Sequence, residues 1–284
     1  MRAEIHCDWP LVVPTQFSGP VAIHVDRRKR TPKQPGVFDV LYLCEPEPIL
    51  PAMTAYARAH LDLFDLVVVS TDHLVGPSPK VVPLEFGTSW IPDGVVLPEK
   101  RPGISMVVGR KQRTEGHRLR HDVWRRQDEI LAPKSFFTSD RGWPRKLSWL
   151  RGCPWLDPLP VNPWGWPVLG ESKLPLFETR FHIAIENCRS RYYFTEKLLD
   201  CFLTDTVPIY WGCRNIGEYF DAGGIIQVES LDQLIAACNS TSDGDYAARA
   251  FAIRENRRRA GGFIDLGHRL GALIASKFPE SPGR

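Results

Sequence analysis

The chain has 284 residues, of which 43% are hydrophobic and 24% are charged, a composition typical of a globular protein with one or two domains. A formal net charge of +3 is too small to indicate a polyanionic partner. The sequence contains no apolar run long enough for a membrane span, and its first ten residues lack the pattern of a signal peptide. The seven cysteines are scattered without metal-ligand spacing, which favours reduced thiols and a cytoplasmic location.

Short apolar runs in the first hundred residues predict alternating strands and a helix. Strands are expected over 21–25, 40–44 and 66–70, and helical spacing of apolar residues predicts a helix over 48–61. Alternation of this kind is typical of a Rossmann-like domain with a parallel sheet. Prolines and glycines over 75–103 indicate a mixed edge and linker region. We therefore predict a first domain over residues 1–100.

Glu45 is the candidate general base of this domain. It follows the predicted strand 40–44 directly, at the carboxyl end where parallel sheets bind their ligands. A carboxylate at this position would face a cleft between two domains, where a base is needed. Glu47 is the nearest rival, and the alternative for Glu45 is an ordinary solvated acid, since acidic residues are mostly exposed.

Residues 104–131 predict a strand over 104–108, a basic loop and a helix from about 115 to 131. Seven lysines and arginines lie between Arg110 and Arg126. Such a run is usually a solvated helix face, and nucleic-acid binding is disfavoured because the whole chain is near neutral. A strand that leads into a basic loop and helix can also supply a phosphate contact.

Residues 135–170 are rich in tryptophan, proline and glycine, and their elements cannot be assigned. They could form an ordered excursion of the second domain or a loop over a substrate. Lys173 follows this stretch, and a surface lysine is the favoured interpretation. His117, His121 and His182 show no metal-site spacing, so ordinary structural histidines are expected.

Residues 181–212 hold a dense cluster of polar side chains between predicted elements. An apolar run over 181–185 predicts a buried strand, Thr195 predicts the cap of a helix, and 207–211 predicts a second buried strand. This order is a βαβ unit, whose strands are parallel and whose crossover is right-handed. Its loop and first helical turn lie at the carboxyl end of the sheet, and they contain Glu186, Asn187, Tyr193, Glu196 and Lys197.

The side chains of this cluster suit a nucleotide sugar. Free N–H groups at a helix N-terminus, with Lys197 in the first turn, suit a phosphate group. A carboxylate can accept hydrogen bonds from sugar or ribose hydroxyls. Singly, each residue has an ordinary interpretation as a core aromatic, a first-turn acid or a solvent-facing lysine. Five such residues in one loop favour a binding site.

The last third of the chain predicts further alternation. A strand is expected over 224–228, and helices are expected over 231–238, 246–258 and 264–278. We predict a second domain over residues 101–260. The segment 261–284 is expected to form a closing helix that can pack back on the first domain.

Two segments resemble a known family. The run ENCRSRYYFTEKLLD at 186–200, followed by VPIYWG at 207–212, resembles the donor-binding motif of the family 10 glycosyltransferases, the α1,3/4-fucosyltransferases. LYLCE at 41–45 resembles the segment in which bacterial members carry their presumed base glutamate, with Cys44 in place of the family's glycine. The resemblance implies an α/β protein of GT-B architecture, with two Rossmann-like domains that face each other across a cleft. It also implies inverting transfer of L-fucose from GDP-fucose to a glycan hydroxyl, in an α1,3-type linkage.

The resemblance further implies roles for individual residues. Glu45 would be the base, and Glu196 would bind ribose or sugar hydroxyls or stabilise positive charge on the sugar ring. An arginine ahead of an aromatic residue would contact the diphosphate, for which Arg120 fits best and Arg118 is a close competitor. The other implied donor-binding residues are Glu186, Asn187, Tyr193, Thr195 and Lys197.

No metal site is predicted, and transfer is expected to need no cofactor, although a divalent cation could stimulate it. The expected partners are a GDP-sugar donor and a glycan or glycoconjugate acceptor, without nucleic acid. Oligomeric state and the identity of the acceptor do not follow from the sequence. The alternative function is that of a non-catalytic nucleotide-sugar or glycan-binding protein with the same fold.

Overall fold

A computed structural model of the chain describes residues 1–76, 78–92, 94–139 and 167–278. Most of the tryptophan- and proline-rich stretch over 135–170 therefore lies outside the described residues. The described chain contains two separate parallel sheets with helices packed on their faces, which confirms the prediction of an α/β fold.

The first sheet is formed by residues of the first third of the chain. Its strands are β1 (Glu4–His6), β2 (Val21–Val25), β3 (Phe38–Leu43), β4 (Leu66–Val69) and β5 (Val81–Pro83). They lie side by side in chain order, and every described pair is parallel. Their carboxyl ends therefore meet at one edge, to which Glu45 belongs.

Both faces of the first sheet are covered by helices. Successive side chains of a strand point to opposite faces, so Leu41 packs with helix α1 (Pro51–Ala59), whereas Tyr42 packs on the other side. That other side is covered by α7 (Leu266–Lys277), which buries Leu266, Leu270 and Ile274 at helical spacing. The last described helix of the chain thus belongs to the core of the first sheet.

The second sheet holds the remaining described strands. They are β6 (Arg101–Val108), β7 (Lys134–Ser139), β8 (Val168–Leu169), β9 (Thr179–Ile185), β10 (Val207–Trp211) and β11 (Ile226–Gln227). Their order is β11-β10-β9-β6-β7-β8, and all described pairs are parallel. The order reverses between β6 and β9, so this sheet has a switch point where α/β proteins bind ligands.

Five further helices pack on the second sheet or on each other. They are α2 (Glu115–Arg125), α3 (Glu196–Leu203), α4 (Leu231–Ser240), α5 (Asp243–Ala248) and α6 (Ala250–Ala260). Helices α2 and α4 bury apolar side chains on one face of the sheet, and α3 does so on the other. This layering gives the second half the same doubly covered arrangement as the first.

Some predicted boundaries differ from the structure. Helix α2 ends at Arg125 rather than near residue 131, because the chain tightens into a 3₁₀ turn at Gln127–Glu129. The helix predicted over 246–258 is two helices, since the Ser242 side chain caps an earlier start and the first helix ends at Ala248, with Arg249 as its C-cap. The strand predicted over 224–228 has only two residues, Ile226 and Gln227.

Among the described helices, none combines the length and the apolar character that crossing a bilayer requires.

Candidate functional site

A cavity lies at the switch point of the second sheet. It is bounded by the carboxyl ends of β6 and β9 and by the first turn of α3. Three of the predicted site residues line it directly: Arg120, Glu196 and Lys197. Its other lining residues are Trp90, Val107, Gly109, Ser139, Leu169, Gly170, Lys173, His182, Ile183, Ala184 and Ile185.

Glu186 and Thr195 hold the N-terminus of α3 in place. The Thr195 backbone N–H and hydroxyl each donate to the Glu186 carboxylate, at 2.8 Å. Thr195 is the helix N-cap, and its hydroxyl oxygen accepts a hydrogen bond from the Lys197 N–H at 3.3 Å. Glu186 is completely buried, and burial raises its pKa against the opposing effect of the Lys197 ammonium. Its side chain therefore contacts the protein rather than the cavity.

A glycine on each neighbouring element makes room for Glu186. A Cβ atom on Gly212, directly after β10, would lie 2.6 Å from the Glu186 Cγ. A Cβ atom on Gly116 in α2 would collide with the Glu186 carbonyl oxygen. The N–H of Gly116 donates to the Asn187 carbonyl oxygen at 3.2 Å, so α2 is docked on this loop. The glycine that ends the VPIYWG run thus serves close packing against Glu186.

Lys197 and Glu196 form an ion pair in the first turn of α3. The Lys197 Nζ lies 3.1 Å from the Glu196 Oε1 and 3.7 Å from the Glu186 Oε2. Burial disfavours the charged forms of both groups, but Glu196 and Glu186 raise the pKa of Lys197. Lys197 and Lys173 likewise outweigh burial and lower the pKa of Glu196 to about 2. Both side chains are therefore charged near neutral pH.

Lys173 belongs to the cavity, which corrects the interpretation of a surface lysine. Its Nζ lies 3.8 Å from the Glu196 Oε1 and 3.5 Å from the centre of the Trp90 ring. Lys173 can contact Glu196 because the chain turns back toward α3 after β8. No sequence pattern around Lys173 predicts that contact. The site thus has a second ammonium group beside Glu196.

The two candidate arginines have different positions. The Arg120 guanidinium donates to the Asn187 Oδ1 at 2.7 Å and to the Gly116 carbonyl oxygen at 3.2 Å, and Arg120 lines the cavity. Arg118 is exposed, and its guanidinium donates to the Arg113 carbonyl oxygen. Burial lowers the pKa of Arg120, whereas Glu186 and Tyr193 act in the opposite direction. The geometry favours Arg120 for a contact with an anion in the cavity.

Asn187 and Tyr193 hold the Arg120 side chain in position. The Asn187 Nδ2 lies 3.5 Å from the Tyr193 hydroxyl, and its Oδ1 accepts from Arg120. The Tyr193 side chain is 2% exposed, and burial raises its pKa far above its ordinary value. Asn187 and Tyr193 thus act on the cavity indirectly, by positioning the Arg120 side chain.

Glu45 reaches the same region from the first sheet. Its pKa is raised, mainly by burial and next by Asp26, while Lys197 and Lys111 of the second half lower it and Glu196 raises it further. Glu45 therefore lies within electrostatic reach of the first turn of α3. The carboxyl edges of the two sheets face each other here, since the Asp72 N–H after β4 donates to the Ser190 hydroxyl at 3.2 Å.

Asp26, which the sequence did not single out, fixes the turn that carries Glu45. It follows β2 and has a positive φ of 49°. Its carboxylate accepts hydrogen bonds from the N–H groups of Cys44 and Glu45, at 3.1 and 3.4 Å, and from the Cys44 thiol at 2.6 Å. The thiol that replaces the family's glycine is thus bound to a carboxylate, and Asp26 orients the start of the Glu45 turn.

The Glu47 carboxylate lies beside other charged side chains. Its carboxylate lies 3.1 Å from the Arg58 guanidinium and 3.8 Å from the His73 ring. The side chain of Glu45 makes no hydrogen bond or ion pair of this kind within the described part of the chain. Geometry therefore favours Glu45 over Glu47 as a group free to take a proton.

The described residues contain no group of three or more His, Cys, Asp or Glu side chains placed to hold a metal ion. An Asp-x-Asp sequence is present at 243–245. Its aspartates lie in α5, where Asp243 pairs with Arg180 and Asp245 with Arg249. The independence from metal stays a prediction.

Comparison with known proteins finds a family match within the second half of the chain. Residues 172–238 match the family model described as glycosyltransferase family 10 (fucosyltransferase), C-terminal part. The α-(1,3)-fucosyltransferase FucT of Helicobacter pylori is 30% identical to the chain over 70 residues. That alignment covers 25% of this chain and 14% of the relative, so the chain matches only a small part of that protein's length.

Solved structures share the fold over a longer stretch. A crystal structure of an α1,3-fucosyltransferase with GDP is 16% identical, with a TM-score of 0.50, and the match covers 86% of this chain and 71% of that one. The OtsA apo structure is 9% identical, with a TM-score of 0.51, over 94% of this chain and 74% of that one. Similarity at these identities concerns the fold, which is the predicted GT-B architecture.

Proposed function

We propose that the protein is an inverting fucosyltransferase, because residues 172–238 match the family model of glycosyltransferase family 10. It transfers L-fucose from GDP-fucose to a hydroxyl of a glycan acceptor, in an α1,3-type linkage. The observation that carries the proposal is the placement of Glu45, which lies across the cleft from the charged first turn of α3. The GDP in the fucosyltransferase structure with a similar fold supports the choice of nucleotide.

The diphosphate of the donor lies in the cavity at the switch point. Arg120 and Lys197 contribute positive charge there, and the free N–H groups at the start of α3 contribute a partial positive charge. Negative charge develops on the β-phosphate oxygen as the bond to fucose breaks, and these groups stabilise it. Glu186 and Thr195 act by holding α3 in position, and Asn187 and Tyr193 act by holding Arg120.

Glu45 removes the proton from the acceptor hydroxyl. The acceptor oxygen then forms a bond to the anomeric carbon on the side opposite the phosphate, and the bond from that carbon to the phosphate oxygen breaks. GDP leaves with the bonding electron pair, and the configuration at the anomeric carbon is inverted. The raised pKa of Glu45 suits a base, because a carboxylate with a higher pKa holds a proton more strongly.

Glu196 remains ionised throughout the pH range of the reaction, because the two lysines lower its pKa to about 2. An ionised carboxylate accepts hydrogen bonds from the hydroxyls of fucose or ribose. It also lies where negative charge can stabilise a sugar ring that becomes positive in the transition state. Lys173 keeps this carboxylate in place from the other side.

Calorimetric titration of the full chain with GDP and with UDP tests the donor site, without added metal and then with magnesium or manganese. Selective binding of GDP, followed by release of GDP from GDP-fucose in the presence of a glycan acceptor, supports the proposal. Binding of UDP instead contradicts the choice of nucleotide. Binding of GDP without transfer to any acceptor of a glycan panel favours a non-catalytic nucleotide-sugar-binding protein.

A further inference from the structure

A second cavity lies in the half of the molecule that carries Glu45. Its volume is about 760 Å³, in the range of pockets that bind small molecules. It is bounded by the carboxyl ends of β1 and β2, by the loop over 26–31 and by α1. Asp26 lines it, and one Asp26 carboxylate oxygen is 3.4 Å from the backbone nitrogen of Glu45. Asp26 thus connects the wall of this cavity with the turn that carries the proposed base.

The loop along this cavity is strongly basic. Its sequence from residue 27 is Arg-Arg-Lys-Arg, and all four side chains line the cavity. Arg27 pairs with Asp8, and Lys29 pairs with the buried Asp39. Arg28 lies 5.5 Å from the centre of the Tyr56 ring.

Arg28 and Arg30 are the two cations of this loop whose charge is not neutralised. Both side chains are exposed, and neither makes an ion pair with a carboxylate of the described residues. A guanidinium group presents two parallel N–H donors, which match the two oxygens of a carboxylate or phosphate. The rim of the cavity thus offers charge and geometry for an anion.

The His24 ring also lines this cavity. The side chain is 7% exposed, and its ring stacks on that of His6 with centres 4.7 Å apart. Its Nε2 has no hydrogen-bond partner among the described residues, and the nearest Asp39 oxygen is 3.7 Å away. The His24 Nε2 therefore lies toward the buried Asp39 carboxylate, and the positive charge that faces the cavity comes from the loop arginines.

We propose that this cavity binds an anionic group of the acceptor, so that the acceptor is an acidic glycan rather than a neutral one. The group is a carboxylate or a phosphate held by Arg28 and Arg30, with the reacting hydroxyl of the same acceptor at Glu45. This inference rests on the proposed function, because it assigns the substrate of the same cleft. It adds the charge of the acceptor, which neither the family resemblance nor the donor site determines.

Three matched disaccharides test the inference by calorimetric titration of the full chain saturated with GDP. One ends in glucuronic acid, the second in glucose, and the third in glucose 6-phosphate, with the same linkage throughout. We expect an acidic disaccharide to bind at least about tenfold more tightly than the neutral one, because charge-assisted bidentate bonds are strong. The carboxylate and phosphate arms show which anion is preferred, and inorganic phosphate alone shows whether the sugar is needed.

The double variant Arg28→Ala/Arg30→Ala is expected to bind all three disaccharides equally weakly. Its control is Arg254→Ala/Arg258→Ala, which removes the same charge from exposed positions of α6 and should keep the preference. The inference is overturned if the neutral disaccharide binds as well as the acidic ones, if none binds, or if the double variant keeps the preference. GDP binding is measured in the same samples, so a failure of the donor site, and with it of the proposed function, is seen separately.

Discussion

Glu45 combines the two properties that a base in this cleft needs, a raised pKa and a carboxylate that makes no hydrogen bond or ion pair with another described residue. Glu45→Gln keeps the size of the side chain and removes its ability to take a proton. We expect kcat for transfer from GDP-fucose to fall by about 10²–10⁴-fold, the usual contribution of a general base, with GDP affinity unchanged. Initial rates and calorimetry measure the two quantities.

Glu47→Gln is the matched control, because the Glu47 carboxylate is held by Arg58 and His73 on the neighbouring surface. This variant should keep kcat near that of the unmodified protein. An equal loss of kcat in both variants would show that charge near the turn matters rather than proton transfer by Glu45.

At the scale of single residues, the sequence identified those that stand directly beside a recognisable motif. Glu196 and Lys197 follow the helix cap, so local spacing identifies them, and Arg120 precedes Val123-Trp124 in α2, where the family resemblance implies an arginine ahead of an aromatic residue. Asp26 and Lys173 could not, because their contacts with Glu45 and Glu196 depend on which strands pair and where the chain returns. Contacts between residues that are far apart in the chain produce no periodic pattern in the sequence.

Helix α3 is the element that brings the donor residues together, and its N-terminus depends on Thr195. Thr195→Ala removes the N-cap and one of the two hydrogen bonds to the buried Glu186 carboxylate. We expect the free energy of unfolding to fall by about 1–3 kcal/mol, since a cap and a hydrogen bond to a buried acceptor are both lost. Urea unfolding measures it.

Thr195→Ser serves as the control for that change, because serine keeps the hydroxyl and caps helices at least as well as threonine. It should retain most of the stability and the affinity for GDP. If serine destabilises the protein as much as alanine, the methyl group rather than the hydroxyl holds the helix.

The same helix carries a pH-dependent contact at Asp200. Its carboxylate accepts hydrogen bonds from the Ser89 hydroxyl and the Trp90 N–H, at 2.8 and 3.1 Å, and its Oδ2 has no partner among the described residues. Burial raises the pKa of Asp200 to about 7. The folded protein therefore keeps a proton here that the unfolded chain has already released at lower pH.

A raised acid pKa in the folded state lowers stability as pH increases through that interval. Asp200 should thus reduce the free energy of unfolding between about pH 4 and about pH 7, and Asp200→Asn should flatten this part of the profile. Urea unfolding across that range compares the two proteins, with the exposed Asp232→Asn as control. Parallel profiles for the two proteins would contradict the assignment to Asp200.

Elements were predictable where the apolar pattern was long and its ends were marked. The bounds of β2 and β10 agree with the predictions because apolar runs end at polar or glycine residues there, and Thr195 marks the start of α3. Strands β1, β5 and β8 were missed, since two or three residues are too few to show alternation. Strand β7 was missed because it lies at the start of the proline- and tryptophan-rich stretch.

For the whole molecule, alternating strands and helices were enough to predict two parallel sheets, but not the contacts between the halves. Those contacts join residues far apart in the chain, such as Asp72 with Ser190 and Ser89 with Asp200. The boundary near residue 100 remains a prediction. The return of the last helix to the first sheet was expected, and its fit depends on small side chains that the helical pattern did not indicate.

Gly267 is the position where that fit is tightest. A Cβ atom there would collide with the Val12 carbonyl oxygen, and the backbone cannot move as easily as a side chain. Gly267→Ala should lower the free energy of unfolding by about 1–3 kcal/mol, the usual cost of overpacking. Gly244→Ala is the matched control, because it is also the second residue of a helix and its Cβ atom would meet only an ordinary contact.

Urea unfolding of both glycine variants provides the measurement. The control variant should be as stable as the unmodified protein or slightly more so, since alanine favours helices over glycine. Equal effects of the two substitutions would mean that α7 tolerates displacement from the first sheet.

Within residues 1–139 and 167–278, the described chain passes between the two halves between β5 and β6 and again between α6 and α7. The two passages are joined to each other, because the Arg269 guanidinium lies 2.6 Å from the Glu85 carboxylate. Movement of one half relative to the other would have to keep or replace the Asp72–Ser190 and Ser89–Asp200 hydrogen bonds as well as the Arg269–Glu85 ion pair. The place of Glu45 relative to the donor site is thus set by several contacts between residues that are distant in the chain.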